Sequence, residues 1–146
     1  MFKHILIPTD GSAVSGKAAK AGIALARALG AKITAYRAVE SLEPIYVEGY
    51  AFDQAVIDRA DKRLREIGQK HVDAIGKMAK AAGVPFTALV TKADNSYEGI
   101  IAAAKKSKCD VIFMASHGRR GLTKLIMGSV TQKVLTHARI PVVVYR

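Results

Sequence analysis

The sequence predicts an α/β fold, a single domain spanning 1–146 built as an open parallel five-stranded sheet with helices on both faces. Five short β-branched or apolar runs alternate with helical patterns, the order expected of a parallel sheet covered by crossover helices. One run, Val111 to Ala115, is apolar at consecutive positions, as a strand covered on both faces requires. The 146 residues suffice for one core, and no composition shift marks a second unit.

The first strand is placed at His4 to Pro8, where proline ends the ladder because it lacks an N–H. Thr9-Asp10-Gly11-Ser12 then turns into a helix from about Ser15 to Leu29, with Ala18, Ala21, Gly22, Leu25 and Leu29 as its inward stripe and Gly30 as its stop. The second strand covers about Lys32 to Val39. Glu40 to Asp53, with Pro44, Gly49, Tyr46, Tyr50 and Phe52, reads as an ordered loop.

A long helix follows from about Gln54 to Ala82, with Val56, Ala60, Leu64, Ile67, Ile75, Met78 and Ala82 spaced three or four apart on the inward stripe. His71 falls on that stripe and reads as a buried, neutral core residue. Gly83 and Pro85 close the helix. The third strand is Phe86 to Val90. Asp94, Asn95 or Ser96 can cap the next helix, which turns Ile100, Ile101 and Ala104 inward and ends in Lys105, Lys106 and Lys108, where cations suit the helix dipole.

Val111 to Ala115 is the fourth, central strand, and Cys109 before it reads as an inert packing residue. A loop from Ser116 to Met127 leads through Gly128 into a helix near Ser129. Pro141 to Tyr145 is the last strand. An apolar strand on an open edge invites pairing with another chain, so a homodimer through 141–145 is expected.

Composition narrows the classes further. Half the residues are hydrophobic and 24% charged, which excludes disordered and collagenous chains. The single cysteine excludes an internal disulfide, no Cys/His spacing resembles a zinc site, and a reducing cytoplasm is the expected location. The apolar run at the amino terminus is too short for a signal peptide, and no run reaches the ~18 apolar residues of a membrane span. The net charge of +11 makes an anionic partner plausible. Nucleic acid is disfavoured, because the basic residues are scattered and no aromatic ladder accompanies them.

In an open parallel sheet, ligands settle beyond the carboxyl ends of the strands where the strand order reverses. That rule selects the turn Pro8-Thr9-Asp10-Gly11-Ser12, the strand end at Ala38 and Val39, and the loop after the fourth strand. The loop carries Gly118, Gly121 and Gly128, adds Arg119, Arg120 and Lys124, and delivers the chain to a helix amino terminus at Ser129. Glycines admit close backbone approach and free helix amides bind anions, so the loop has the physics expected of a phosphate cradle. Neither G-x-x-x-x-G-K-[S/T] nor G-x-G-x-x-G is present, which excludes a standard P-loop NTPase.

Ser129 and Gln132 also form an S-x-x-Q capping box, so Ser129 can cap, contact phosphate, or do both. Asp10 can bond a ribose hydroxyl, hold a divalent ion or cap a helix. His117 can donate to an anion or pack over the loop. No nucleophile or carboxylate partner identifies it as catalytic.

Together these residues resemble the universal stress protein family, across the chain from Ile5-Leu6-Ile7-Pro8-Thr9-Asp10-Gly11-Ser12 to Ile140-Pro141-Val142-Val143-Val144. The family's nucleotide-binding branch carries G-x2-G-x9-G-[S/T] after strand four. Gly118 and Gly128-Ser129 match it here, whereas Ala115 replaces the first glycine.

The resemblance implies a Rossmann-like fold of the adenine nucleotide alpha hydrolase type, with strand order 3-2-1-4-5 and a dimer through strand five. It implies a cytoplasmic stress-response regulator that binds ATP, or AMP or ADP, with Mg²⁺ or Mn²⁺ held through the phosphates. The site would comprise Pro8, Thr9, Asp10, Ala38, Val39, Met114, Ala115, Ser116, His117, Gly118, Arg119, Gly128, Ser129, Val130 and Thr131. Asp10 would meet the ribose, and the backbone near Thr9, Ala38 and Met114 would frame adenine. Gly118, Arg119, Gly128, Ser129, Val130 and Thr131 would surround the phosphates.

Two alternatives use the same residues differently. A slow ATPase or self-phosphorylating enzyme would need an in-line water or hydroxyl, with Ser12, Ser116, Thr123, Ser129 and Thr131 as candidate acceptors. A binder of nucleic acid or an acidic partner would rest on the basic surface alone and lose affinity steeply with salt.

Overall fold

A computed structural model describes residues 1–42, 46–47, 50–51, 53–118 and 127–146. In chain order the elements are β1 (His4–Pro8), α1 (Ala13–Leu29), β2 (Lys32–Glu40), β3 (Tyr46–Val47), β4 (Tyr50–Ala51), α2 (Gln54–Ala81), β5 (Phe86–Ala93), α3 (Ser96–Lys106), β6 (Val111–Ala115), α4 (Ser129–His137) and β7 (Val142–Tyr145). The main sheet is ordered β5-β2-β1-β6-β7, and each of its neighbouring pairs is parallel. Numbered by the five main strands alone, this is the expected 3-2-1-4-5.

Register follows from burial. β1 and β6 are buried at every position, and Ile5 stands opposite both Ile33 and Val111. Alternate side chains leave opposite faces of a strand. Ile5, Ile7, Ile33, Ala35, Val111 and Phe113 therefore join α1 and α2 in one core layer. Leu6, Tyr36, Ala38, Ile112 and Met114 join α3 and α4 in the other. Gly22 lets α1 approach the sheet, since a β-carbon there would lie 3.0 Å from Ile7 Cδ1.

The caps show why the first helix begins and ends where it does. Ser12 accepts the Ser15 amide at 3.2 Å, so α1 starts at Ala13, two residues before the expected start. Gly30 ends it with φ +64°, a left-handed conformation that glycine adopts without a steric penalty. Strands β2 and β5 both run further than expected because they pair with each other through Glu40 and Ala93. The last strand begins at Val142 instead of Pro141.

Two expectations need larger corrections. The segment expected as a loop contains a small antiparallel pair, with Tyr46 opposite Ala51 and Val47 opposite Tyr50. The inward face of α2 keeps Ile75, Met78 and Ala82 of the expected stripe but not Val56 or Ile67. Val56 is 46% and Ile67 39% exposed, whereas Val72 is fully buried between Gly68 and Gly76. Those glycines let the helix settle onto Val39, Val90 and Phe86, and glycine carries no signal in an apolar periodicity. His71 is only partly buried and lies against Gly11, not within the core. Among the described residues, no helix is long and apolar enough to cross a membrane.

Candidate functional site

Strand order reverses between β1 and β6, and a cleft of about 930 Å³ opens beyond the carboxyl ends of the strands there. That volume falls within the range of small-molecule sites, roughly 300–1,000 Å³. β1 delivers Pro8, Thr9 and Asp10 to the cleft, β2 delivers Ala38 and Val39, and β6 delivers Met114 and Ala115. The opposite lip holds His117, Gly118, Gly128, Ser129, Val130 and Thr131. Every expected site residue thus lines the cleft except two. Ser116 is buried behind it, and Arg119 lies outside the described residues, as do Arg120, Gly121 and Lys124.

The first turn is a tight hydrogen-bonded unit. Asp10 Oδ1 accepts the Ser12 amide at 2.9 Å, and Thr9 Oγ1 accepts the Gly11 amide at 3.0 Å. The Thr9 amide donates to Tyr36 O at 2.9 Å, and Arg37 Nη1 approaches Thr9 O at 3.4 Å. Thr9 Oγ1 and Ser15 Oγ share a further bond at 3.0 Å. The backbone is therefore tied to β2 and α1, while the half-buried Asp10 carboxylate points into the cleft toward Gly118. A β-carbon at Gly118 would overlap Asp10 Oδ2.

The second glycine works in the same way. A β-carbon at Gly128 would stand 3.1 Å from His117 Cα, closer than side chains ordinarily approach a backbone atom. The Gly128 amide donates to Ser116 O at 2.8 Å, and Thr131 Oγ1 donates to Ala115 O at 3.0 Å, fastening the start of α4 to the end of β6. Ala115 contributes its methyl to the core layer under α1.

The expected capping box does not form. Gly128 is the N-cap, with φ −62° and ψ 148°, and no side chain caps the helix. Gln132 Nε2 instead donates to Met127 O at 3.2 Å. Ser129 is thus the first helical residue, exposed at the cleft. The first intrahelical bond is Gln132 N–H to Gly128 O at 3.0 Å, so the amides of Ser129, Val130 and Thr131 precede it. Such amides, with the positive end of the helix dipole, favour an anion.

Several lining residues escaped the sequence reading: Ser15, Tyr36, Arg37, Glu40, Leu42, Leu64, Ile67, Ser96, Ile100 and Met127. Leu64 and Ile67 were visible as apolar positions, but only the docking of α2 on β2 and β5 shows that they face a cleft. Ile100 and Met114 form an apolar wall on the α3 side, and Val39, Leu64 and Ile67 form one on the α2 side. The arrangement offers apolar walls to a flat ring, a carboxylate to hydroxyl groups, and helix amides to an anion. Ser116 Oγ and His117 Nδ1 are bonded at 3.0 Å, yet Ser116 is 5% exposed and its hydroxyl does not reach the cleft.

The universal stress protein family matches residues 1–146. A universal stress protein of Methanocaldococcus jannaschii is 32% identical over 146 residues, covering 100% of this chain and 83% of the relative. One from Thermus aquaticus is 32% identical, covering 100% of both. Among solved structures, a universal stress protein of Lactobacillus plantarum superposes with a TM-score of 0.84 at 18% identity, covering 99% of this chain and 97% of the other. A universal stress protein in complex with cAMP gives 0.72 at 19% identity, with 99% and 97% covered. An Arabidopsis thaliana family protein with AMP bound gives 0.66 at 18%, with 97% and 90% covered.

Proposed function

Because this chain belongs to the universal stress protein family, we propose that its cleft binds an adenine nucleotide, with ATP as the physiological form and AMP or ADP as shorter ligands. The observation that carries the reading is the pair of close glycine approaches. Gly118 meets Asp10 and Gly128 meets His117, so the backbone is bare where a hydroxyl-bearing, anionic ligand would lie between a carboxylate and a helix amino terminus. The cAMP and AMP complexes of structurally similar proteins support the choice of adenine nucleotides.

In this reading Asp10 accepts hydrogen bonds from the ribose hydroxyls. The base lies against the backbone of Thr9 and Ala38, with Val39 and Met114 as apolar contacts. The amides of Ser129, Val130 and Thr131 bind phosphate, joined by Gly118 and Arg119. The Mg²⁺ or Mn²⁺ that accompanies ATP would be held through its phosphates. Ala115 fits this reading despite replacing the family's glycine, since its methyl packs into the core layer under α1. The biological role that follows is nucleotide-dependent regulation in a cytoplasmic stress response.

The test is to denature freshly purified protein and identify the released small molecules by chromatography and mass. Adenylate released by the wild type and missing from Asp10→Ala is the expected result. Wild-type protein that neither carries nor takes up adenylate would overturn the proposal.

A further inference from the structure

Helix α2 meets the Asp10 turn through His71, one turn beyond the point where Gly68 lets the helix close on Arg37 of β2. At Gly68 a β-carbon would lie 3.1 Å from Arg37 Cγ, and Arg37 in turn reaches Thr9 O at 3.4 Å. At His71 the contact is direct. The edge of the imidazole formed by Cε1, Nε2 and Cδ2 fills the space where a side chain at Gly11 would begin. Gly11 has φ +78°, a left-handed conformation available to glycine at no steric cost. This one residue separates Asp10 from Ser12, whose amide donates to Asp10 Oδ1.

We propose that His71 is a positioning residue for the nucleotide site, holding the Gly11 backbone so that the Asp10 carboxylate is presented to the ribose hydroxyls. The inference rests on the nucleotide reading and deepens it, by making ribose recognition depend on a side chain of α2. Three features support a role beyond filling space. The ring meets a left-handed glycine inside the turn, Thr9 ties the start of the turn to β2 and α1, and Ser12 both orients Asp10 and caps α1. Without the ring, Gly11 regains conformations that swing the carboxylate away from the hydroxyls.

Two ligands separate positioning from general stability: AMP, which has both ribose hydroxyls, and 2′,3′-dideoxyadenosine monophosphate, which has neither. Calorimetric titration of wild type is expected to favour AMP about tenfold. His71→Ala should lose that preference while keeping its affinity for the dideoxy ligand. Asp10→Ala should lose it too, and adding His71→Ala to Asp10→Ala should change nothing further. His71→Gln, whose amide reaches the Nε2 position, should restore part of the preference.

The inference is overturned if His71→Ala keeps the wild-type preference, or if it weakens both ligands equally with or without Asp10. Wild type that binds neither ligand would instead sink the nucleotide reading. His71 would then be judged by amide hydrogen exchange at Ser12. Faster exchange in His71→Ala supports the positioning role, and unchanged exchange refutes it.

Discussion

Gly118 faces the Asp10 carboxylate so closely that any β-carbon at residue 118 would overlap Asp10 Oδ2. The two residues come from the ends of β1 and β6, neighbours only because Leu6 pairs with Ile112 and Ile5 with Val111.

Gly118→Ala is therefore expected to act on the ligand more than on the fold. The added methyl displaces a carboxylate that already accepts the Ser12 amide. Adenylate affinity should fall roughly tenfold, about 1.4 kcal/mol. The melting temperature should shift by only a few degrees, because the displaced group is partly exposed at a cleft. Calorimetric titration and thermal unfolding on the same preparation check both halves.

At the opposite end of the sheet, His4 is buried with Nε2 2.8 Å from Thr34 Oγ1. Burial, and then the charge of Lys32, hold its imidazole below the usual range, against opposing effects of Asp110 and the backbone at Ser107 and Lys108. The unfolded chain therefore takes up a proton before the folded one does. Stability from this group is fully present above about pH 6.5 and declines as pH falls toward the folded value. Denaturation at a series of pH values should show that decline in wild type, and a shallower one in His4→Gln. Identical slopes would remove His4 from the account.

Cys109 is buried, and burial raises its thiol to about 11 despite a bond from the Thr34 side chain. It should stay protonated and unreactive at pH 8. A thiol-reactive chromogenic disulfide should label it only in denaturant. Rapid labelling of the folded protein would contradict this placement.

Much of the architecture could be read directly from the residues. Consecutive apolar residues marked Val111–Ala115, Pro8 and Gly30 set the ends of β1 and α1, and the alternation of elements gave the parallel class. What periodicity could not show depends on partners distant in sequence. The inward face of α2 centres on Gly68, Val72 and Gly76, because the sheet residues Arg37, Val39, Val90 and Phe86 fill the space that side chains on those glycines would take. The cleft was legible where it follows the strand-end rule, at Pro8–Asp10, Ala38 and Val39, and Met114 came only from the family resemblance. Leu64, Ile67 and Ser96 join it only through the packing of α2 and α3, which no local pattern encodes. The supposed capping box at Ser129 failed because Gly128 adopts an extended conformation and takes the N-cap position itself.

One side of β7 pairs with β6, and among the described residues no strand covers the other. A second copy of the chain is expected on that edge. Light scattering should give twice the 15.6 kDa chain mass, and Val144→Glu should return the single mass by placing a charge in the interface. A monomeric wild type would show that the edge is left open.

Calorimetric titration of nucleotide-free protein with ATP in the presence of Mg²⁺, run beside Asp10→Ala, tests the central claim most directly. The account predicts saturable binding of one ATP per chain, weakened at least tenfold when a charged hydrogen-bonding partner, worth roughly 1.5–3 kcal/mol, is removed. Heats indistinguishable from dilution at millimolar ATP, or equal affinities for the two proteins, would contradict it.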